Sequence, residues 1–329
     1  MVNATVDLVQ SFLAQDASTT LARIAAVGRL QRMSQTRAPS IAALHDWQLG
    51  LLDALGLREA SDRFPSASIS QLGDAPADSP SECWAHLTCV HFAAGMNDVA
   101  ATVLEGEIAL TQEDLYEIAT TLSAHLRSDG YELGRRTGTV WRLRCPRGLR
   151  AETMPPEAAF RTSLKEALPS GANAAELRRL MTELQMLLHE HPVNVRRERA
   201  GLPAANAAWI WSVGNALPAV QNVRFPAAFG TEDYLKGLYS LHAQTVHTQD
   251  FDVRTIVDAA RESGESVAVI APRSFEALER EWVSPLVWLL KIGTFSRLVL
   301  YVASWRLELH RFDLVRFWRR SLPPSRWPA

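Results

Sequence analysis

The sequence predicts an α/β protein: a mixed sheet flanked by helices, with an additional helical segment at the N-terminus. Three observations lead there. Helical and apolar extended stretches alternate through the second half: Val253–Ser263 closed by Gly264, Ser266–Ala271, Phe275–Leu290, then Arg297–Val302. The alternation in WAHLTCVHF, Trp84–Phe92, has the period of a strand. YELGRR and TVWRLRC, separated by Thr137-Gly138, have the form of a β-hairpin.

In chain order, residues 1–37 read as helical, with Leu8, Phe12, Leu21, Ile24 and Val27 on apolar faces and an interruption near Asp16–Thr20. A second helix runs from Ser40 to Leu55 and stops at Gly56. Residues 59–82 are rich in Ser, Pro, Asp and Ala and read as a linker, with a short strand near Ile69. The expected domains are therefore 1–75, a helical segment with its linker, and 76–329, an α/β domain. Thr111 and Asp114 have capping-box spacing and open a helix to Arg127; Asp129-Gly130 then turns the chain. Residues 146–172 are irregular, with a helical turn around Phe160–Ala167. Asn173 and Glu176 open a helix whose buried stripe is Leu177, Leu180, Leu184, Leu187 and Leu188, widened by Met181 and Met186 and ended by Pro192. Glu232–His247 reads as helical. Strands Arg297–Val302 and Arg306–Phe312 meet at Ala303–Trp305, and a basic aromatic tail with Arg316–Arg320, Arg326 and Trp327 ends the chain.

With 329 residues, 47% hydrophobic and 21% charged, the chain can bury a large core. A formal net charge of -2 argues against a general nucleic-acid binder. The N-terminus lacks the basic start and apolar run of a secretory signal, and no stretch approaches the roughly 20 apolar residues of a membrane span, so a cytoplasmic location is expected. Cys83, Cys89 and Cys145 read as reduced thiols.

The densest chemistry lies in LMTELQMLLHEHPVNVRRERAGLPAANAAWIWSVG, Leu180–Gly214. Asn194 is placed to cap a short helix and Gly201 to end it. Arg197 lies one helical turn after Asn194, so N–H groups and a guanidinium could hold a phosphate or carboxylate. The plainer alternative is a cap, an ion pair and a turn. Asn206, Ser212 and Gly214 flank the strand Ala207–Trp211, where α/β proteins place ligands. Trp209 and Trp211 share a strand face and read as core. Neither Cys83 and Cys89 with His86 and His91, nor His242, His247, Asp250 and Asp252, has the spacing of a familiar metal site. No metal and no cofactor is expected, and neither a nucleophile elbow nor a Walker loop occurs.

HPVN with Arg197 and Gly201, followed by Ala205-Asn206 and WIWSVG, resembles the motif HPVN-x-x-R-x-x-x-G…AN-x-x-W-x-W-G-x-G of archaeal-type cofactor-independent phosphoglycerate mutases. The chain also resembles the bacterial RpfE-type regulatory proteins in CWAHLTCVHF, in DGYEL…TVWRLRC and in RRLMTELQMLLHEHPVN. It departs from the mutase pattern at Ser212, where a glycine is expected, and at Asn215. The resemblance implies an alkaline-phosphatase-like fold in part, and a two-metal phosphoryl-transfer site. The Asp and His ligands of such a site normally include an early strand ending in Asp-Gly and a late Asp-His pair, and neither is found. The expectation is a regulatory or ligand-binding protein of the RpfE type, a non-catalytic relative of the mutases. Its partners would be a phosphorylated or anionic small molecule or another protein. The alternative is an active metal-dependent phosphomutase or phosphatase with unfamiliar ligands.

Overall fold

The computed structural model describes residues 3–11, 19–32, 44–75, 80–94, 99–161, 163–216, 223, 225–302, 304–315 and 320–323. Most of the basic tail, Arg316–Arg319 with Arg326 and Trp327, lies outside them.

The chain opens with β1 (Thr5–Gln10), α1 (Thr19–Val27) and β2 (Arg29–Arg32), followed by α2 (Asp46–Ala54) and α3 (Ser66–Asp74). Then come β3 (Trp84–Ala94), β4 (Val99–Val103), α4 (Gln112–Ser128), β5 (Glu132–Thr137) and β6 (Val140–Arg144). Two short helices, α5 (Pro156–Ala159) and α6 (Leu164–Ala167), precede α7 (Ala174–His189), α8 (Pro192–Arg199) and β7 (Ala207–Gly214). The last third holds β8 (Ala227–Phe229), α9 (Asp233–Leu241), β9 (Val246–His247), α10 (Val253–Ser263) and β10 (Glu265–Ile270). It closes with α11 (Phe275–Leu278), α12 (Ser284–Ile292), β11 (Arg297–Val302) and β12 (Trp305–His310).

These elements make two compact units, each a sheet flanked by helices, so the expected mixed α/β class stands. One unit comprises residues 1–36, 46–61 and 219–329, the other 37–45 and 62–218. Both are assembled from separated stretches of chain, unlike the contiguous 1–75 and 76–329 expected from composition.

In the first unit the strand order is β2-β12-β11-β1-β10-β8-β9. β1 lies parallel between β10 and β11, with Leu8 opposite Ala268 and Leu300. β12 and β2 extend the sheet as antiparallel strands. The expected N-terminal helical segment is corrected here: residues 5–10 are a central strand. Val6 and Val9 are fully buried and Leu8 nearly so. A strand covered on both faces shows no in–out alternation, and β1 also buries Asp7 and Gln10, so sequence periodicity cannot tell it from a helix.

In the second unit β3 is central. It pairs antiparallel with β7 on one side and with β6 and β4 in succession on the other. The hairpin of β5 and β6 forms as expected. The linker and strand expected around Ile69 are instead α3, in which Ser66–Leu72 are all buried. Small serines let this helix pack closely, and composition alone cannot separate such a helix from a loop.

Smaller differences have local causes. Asn173 stands at the N-terminus of α7 without a side-chain capping bond, because its Oδ1 accepts the Arg150 N–H at 3.0 Å and its Nδ2 meets Glu176. The expected helix over 232–247 stops at Leu241 and is followed by β9. The expected helix over 275–290 carries one wide turn at Glu279–Val283, just before Pro285, which has no N–H to give.

Candidate functional site

The HPVN segment is built from two helix ends. Pro192 sits in the first turn of α8, where its missing N–H costs nothing. The N-cap is His191, not Asn194: its Nδ1 accepts the Val193 N–H at 3.3 Å, while Nε2 meets the Thr121 hydroxyl at 2.9 Å. Asn194 lies inside α8, with 1% of its surface exposed. Its Nδ2 donates to Leu188 O at 2.7 Å and Ala205 O at 3.1 Å, and its Oδ1 accepts the Ala205 N–H at 2.7 Å. One amide thus adds a bond to the Leu188 carbonyl at the end of α7, which also accepts the His191 N–H at 3.2 Å, and fixes the entry to β7.

Arg197 is 3% exposed. Its Nε donates to Pro203 O at 2.9 Å, Nη1 to Ala109 O at 3.1 Å and Nη2 to Ile108 O at 2.6 Å, with Asp114 Oδ2 3.8 Å away. Burial pulls the guanidinium below its ordinary pKa, and Asp114 works against that. Asp114 completes the expected capping box with Thr111 and also binds Arg196. Burial opposes its charge, but the Thr111 hydrogen bonds and the two arginines hold the carboxyl below its usual range. Every bonded N–H of Arg197 is aimed at the protein's own backbone.

Gly201, at φ 71°, closes α8 by donating to Glu198 O at 3.0 Å. Asn206 pairs with the β3 backbone, accepting the Phe92 N–H at 2.7 Å and donating to Phe92 O at 2.8 Å. Ser212 has φ 56°, so the left-handed conformation that suits a glycine persists in this serine. Its hydroxyl accepts the Ala67 N–H at 3.1 Å and so caps the start of α3. Gly214 lies where a Cβ would stand 2.9 Å from Pro65 Cγ. The sequence-predicted residues therefore gather at the two ends of β7, each tied to a neighbouring element. Trp209 and Trp211 are buried at 1% exposure, and their indole N–H groups donate to Met154 O and Thr88 Oγ1.

The histidine candidates separate. His86 Nε2 meets Ser66 Oγ at 3.2 Å and His91 Nδ1 meets Ala204 O at 2.8 Å. Burial, reinforced by His45 and Arg142, holds the His86 imidazole well below 6.5. His242 bonds Leu238 O, His247 stacks on Phe229 at 4.9 Å, and Asp252 caps α10 through the Thr255 N–H.

Sequence reasoning missed one place, because it read β1 as helix. In the first unit the carboxyl ends of β1, β8 and β10 lie side by side, the position where open α/β sheets bind ligands. β1 ends in Gln10, followed by Ser11. Ser11 Oγ donates to Glu232 Oε1 at 3.0 Å and contacts Ile270 O at 3.1 Å. Gln10 is 3% exposed and its Oε1 has no hydrogen-bond partner. Thr231 follows β8; exposed Arg273 and Ser274 follow β10. Among the described residues at this edge the side chains are an amide, three hydroxyls, a guanidinium and two carboxylates, Glu232 and Asp233, the second ion-paired with Lys236 at 2.6 Å. That set does not fit two divalent metal ions, which need several carboxylate and imidazole ligands. Among the described residues, the one trio of such ligands within reach of a common ion is His125, Asp129 and Glu183, in the other unit. No described helix is long and apolar enough to cross a membrane.

No protein-family profile matches the chain. A segment of it is 37% identical over 91 residues to a 2,3-bisphosphoglycerate-independent phosphoglycerate mutase of Methanothrix thermoacetophila, covering 26% of this chain and 22% of that protein. The Methanosarcina barkeri protein of the same name is 32% identical over 111 residues, covering 32% and 27%. The matched stretch is therefore less than a third of either relative's length. Among solved structures, a Pyrococcus horikoshii protein aligns over 93% of this chain and 87% of its own at 14% identity, with a TM-score of 0.48. A cofactor-independent phosphoglycerate mutase from Thermoplasma acidophilum aligns over 93% and 88% at 14% identity, with a TM-score of 0.41. The chain is thus distantly similar, over part of its sequence, to cofactor-independent phosphoglycerate mutases.

Proposed function

We propose that this protein is a non-catalytic relative of the cofactor-independent phosphoglycerate mutases and acts by binding, as a regulatory protein of the RpfE type. The observation that carries this reading is the donor set at the carboxyl ends of β1, β8 and β10. Its described carboxylates are engaged, Glu232 accepting the Ser11 hydroxyl and Asp233 pairing with Lys236, and the early strand ends in Gln10-Ser11 rather than Asp-Gly. Hydroxyls, an amide and an exposed guanidinium suit the recognition of a phosphorylated or anionic small molecule. The unpartnered Oε1 of Gln10 leaves an acceptor for a ligand hydroxyl. The HPVN–WIWSVG segment then serves as a latch between elements, since Asn194, Arg197 and Asn206 spend their hydrogen bonds on backbone groups. The output of such a protein passes to a protein partner.

Manganese titration followed by electron paramagnetic resonance tests the reading. The expectation is no spin-coupled ion pair at any manganese concentration up to the millimolar range. A coupled pair, lost on Glu232→Gln, would restore the enzyme reading.

A further inference from the structure

We propose that Cys83 and Cys145 form a vicinal dithiol site on a surface pocket, which reacts with small disulfides and closes to an intramolecular disulfide. Cys83 immediately precedes β3 and Cys145 immediately follows β6. Trp84 pairs with Arg144 across that antiparallel ladder, so the next opposed pair is the two cysteines. The Cys145 N–H donates to Cys83 O at 2.9 Å. Opposed residues project to one face, with Cα atoms roughly 4.5–5.5 Å apart. A disulfide needs about 4.4–6.8 Å. Each thiol donates to a nearby carbonyl, Cys83 Sγ to Leu149 O at 3.5 Å and Cys145 Sγ to Leu143 O at 3.4 Å.

Access comes from a second observation. Both cysteines line a pocket of about 160 Å³ with Glu82, Glu132, Arg144 and Arg147. That space admits one arm of a small disulfide. The thiols are also unequal: the neighbouring Cys145 lowers the pKa of Cys83, aided by the Gly214 N–H and opposed by burial, whereas burial raises that of Cys145. Cys89, fully enclosed and pushed up to about 12, is absent from the pocket.

The chemistry balances with the small disulfide RSSR as oxidant. Cys83 thiolate attacks one sulfur of RSSR, forming a mixed disulfide and expelling RS⁻. Cys145 then gives up its proton, and its thiolate attacks the Cys83 sulfur, expelling the second RS⁻. The two cysteines lose two electrons and two protons in all, RSSR gains both, and two RSH leave. The site is independent of the function proposed above.

Hydroxyethyl disulfide is the probe. The native protein is treated, quenched in acid, unfolded, alkylated and weighed. Free thiols should fall from three to one, the mass should drop by two hydrogens with no adduct, and Cys89 should be the alkylated residue. Cys145→Ser should stop at a mixed disulfide on Cys83, and Cys83→Ser should react at least about tenfold more slowly. Three intact thiols, an adduct on Cys89, or a mixed disulfide that persists in the wild-type protein would overturn the proposal. The wild-type result decides even where a variant folds poorly.

Discussion

Arg197 spreads one guanidinium over the carbonyls of Ile108, Ala109 and Pro203 in a buried site. Removing it strands those acceptors and the nearby Asp114 carboxylate. Arg197→Ala should cost about 3–5 kcal/mol, read as a lower urea midpoint. Arg197→Lys should recover little, because an ammonium cannot reproduce the planar fork. A variant with wild-type stability would release Arg197 for ligand binding. His86 gives a pH signature. Its imidazole stays neutral in the folded protein while the unfolded chain takes up a proton below 6.5. Its contribution is full above that value and falls away as pH drops beneath it. His86→Gln should flatten the loss of stability on acidification through that window, measured by denaturant titration at several pH values. The positions of both residues were legible in sequence, Arg197 from its motif and His86 from strand alternation. His86 meets Ser66, 20 residues away, and Arg197 reaches Ala109, 88 residues away, where local pattern has no reach.

Ser212 shows how one element depends on another. The strand β7 keeps a left-handed residue there, and the serine hydroxyl caps α3. Ser212→Ala keeps the strained backbone and loses the cap, so about 1 kcal/mol of stability should go. Ser212→Gly loses the same cap but relieves roughly 1–2 kcal/mol of backbone strain, and should stay near wild type. Thermal or urea unfolding of the pair checks the order; a less stable glycine variant would sink this account. The amphipathic helices α4, α7 and α10 were visible because one face is wet and the other dry. β1 and α3 were not: one is dry on both faces, and the other is packed through small serines that look like a linker.

At the scale of the molecule, β1 lies at the heart of the first unit's sheet, hydrogen-bonded to both β10 and β11. Removing residues 1–11 should therefore leave insoluble protein, as judged by soluble yield and circular dichroism. A folded truncation would return this segment to the role of an appendage. The N-terminal strand also sets the functional question, since it carries Gln10-Ser11 to the carboxyl end of the sheet, beside Glu232. The most direct measurement is conversion of 3-phosphoglycerate to 2-phosphoglycerate with added manganese or magnesium. The account predicts no turnover above a protein-free blank. Turnover that disappears with a chelator and with Glu232→Gln would contradict it.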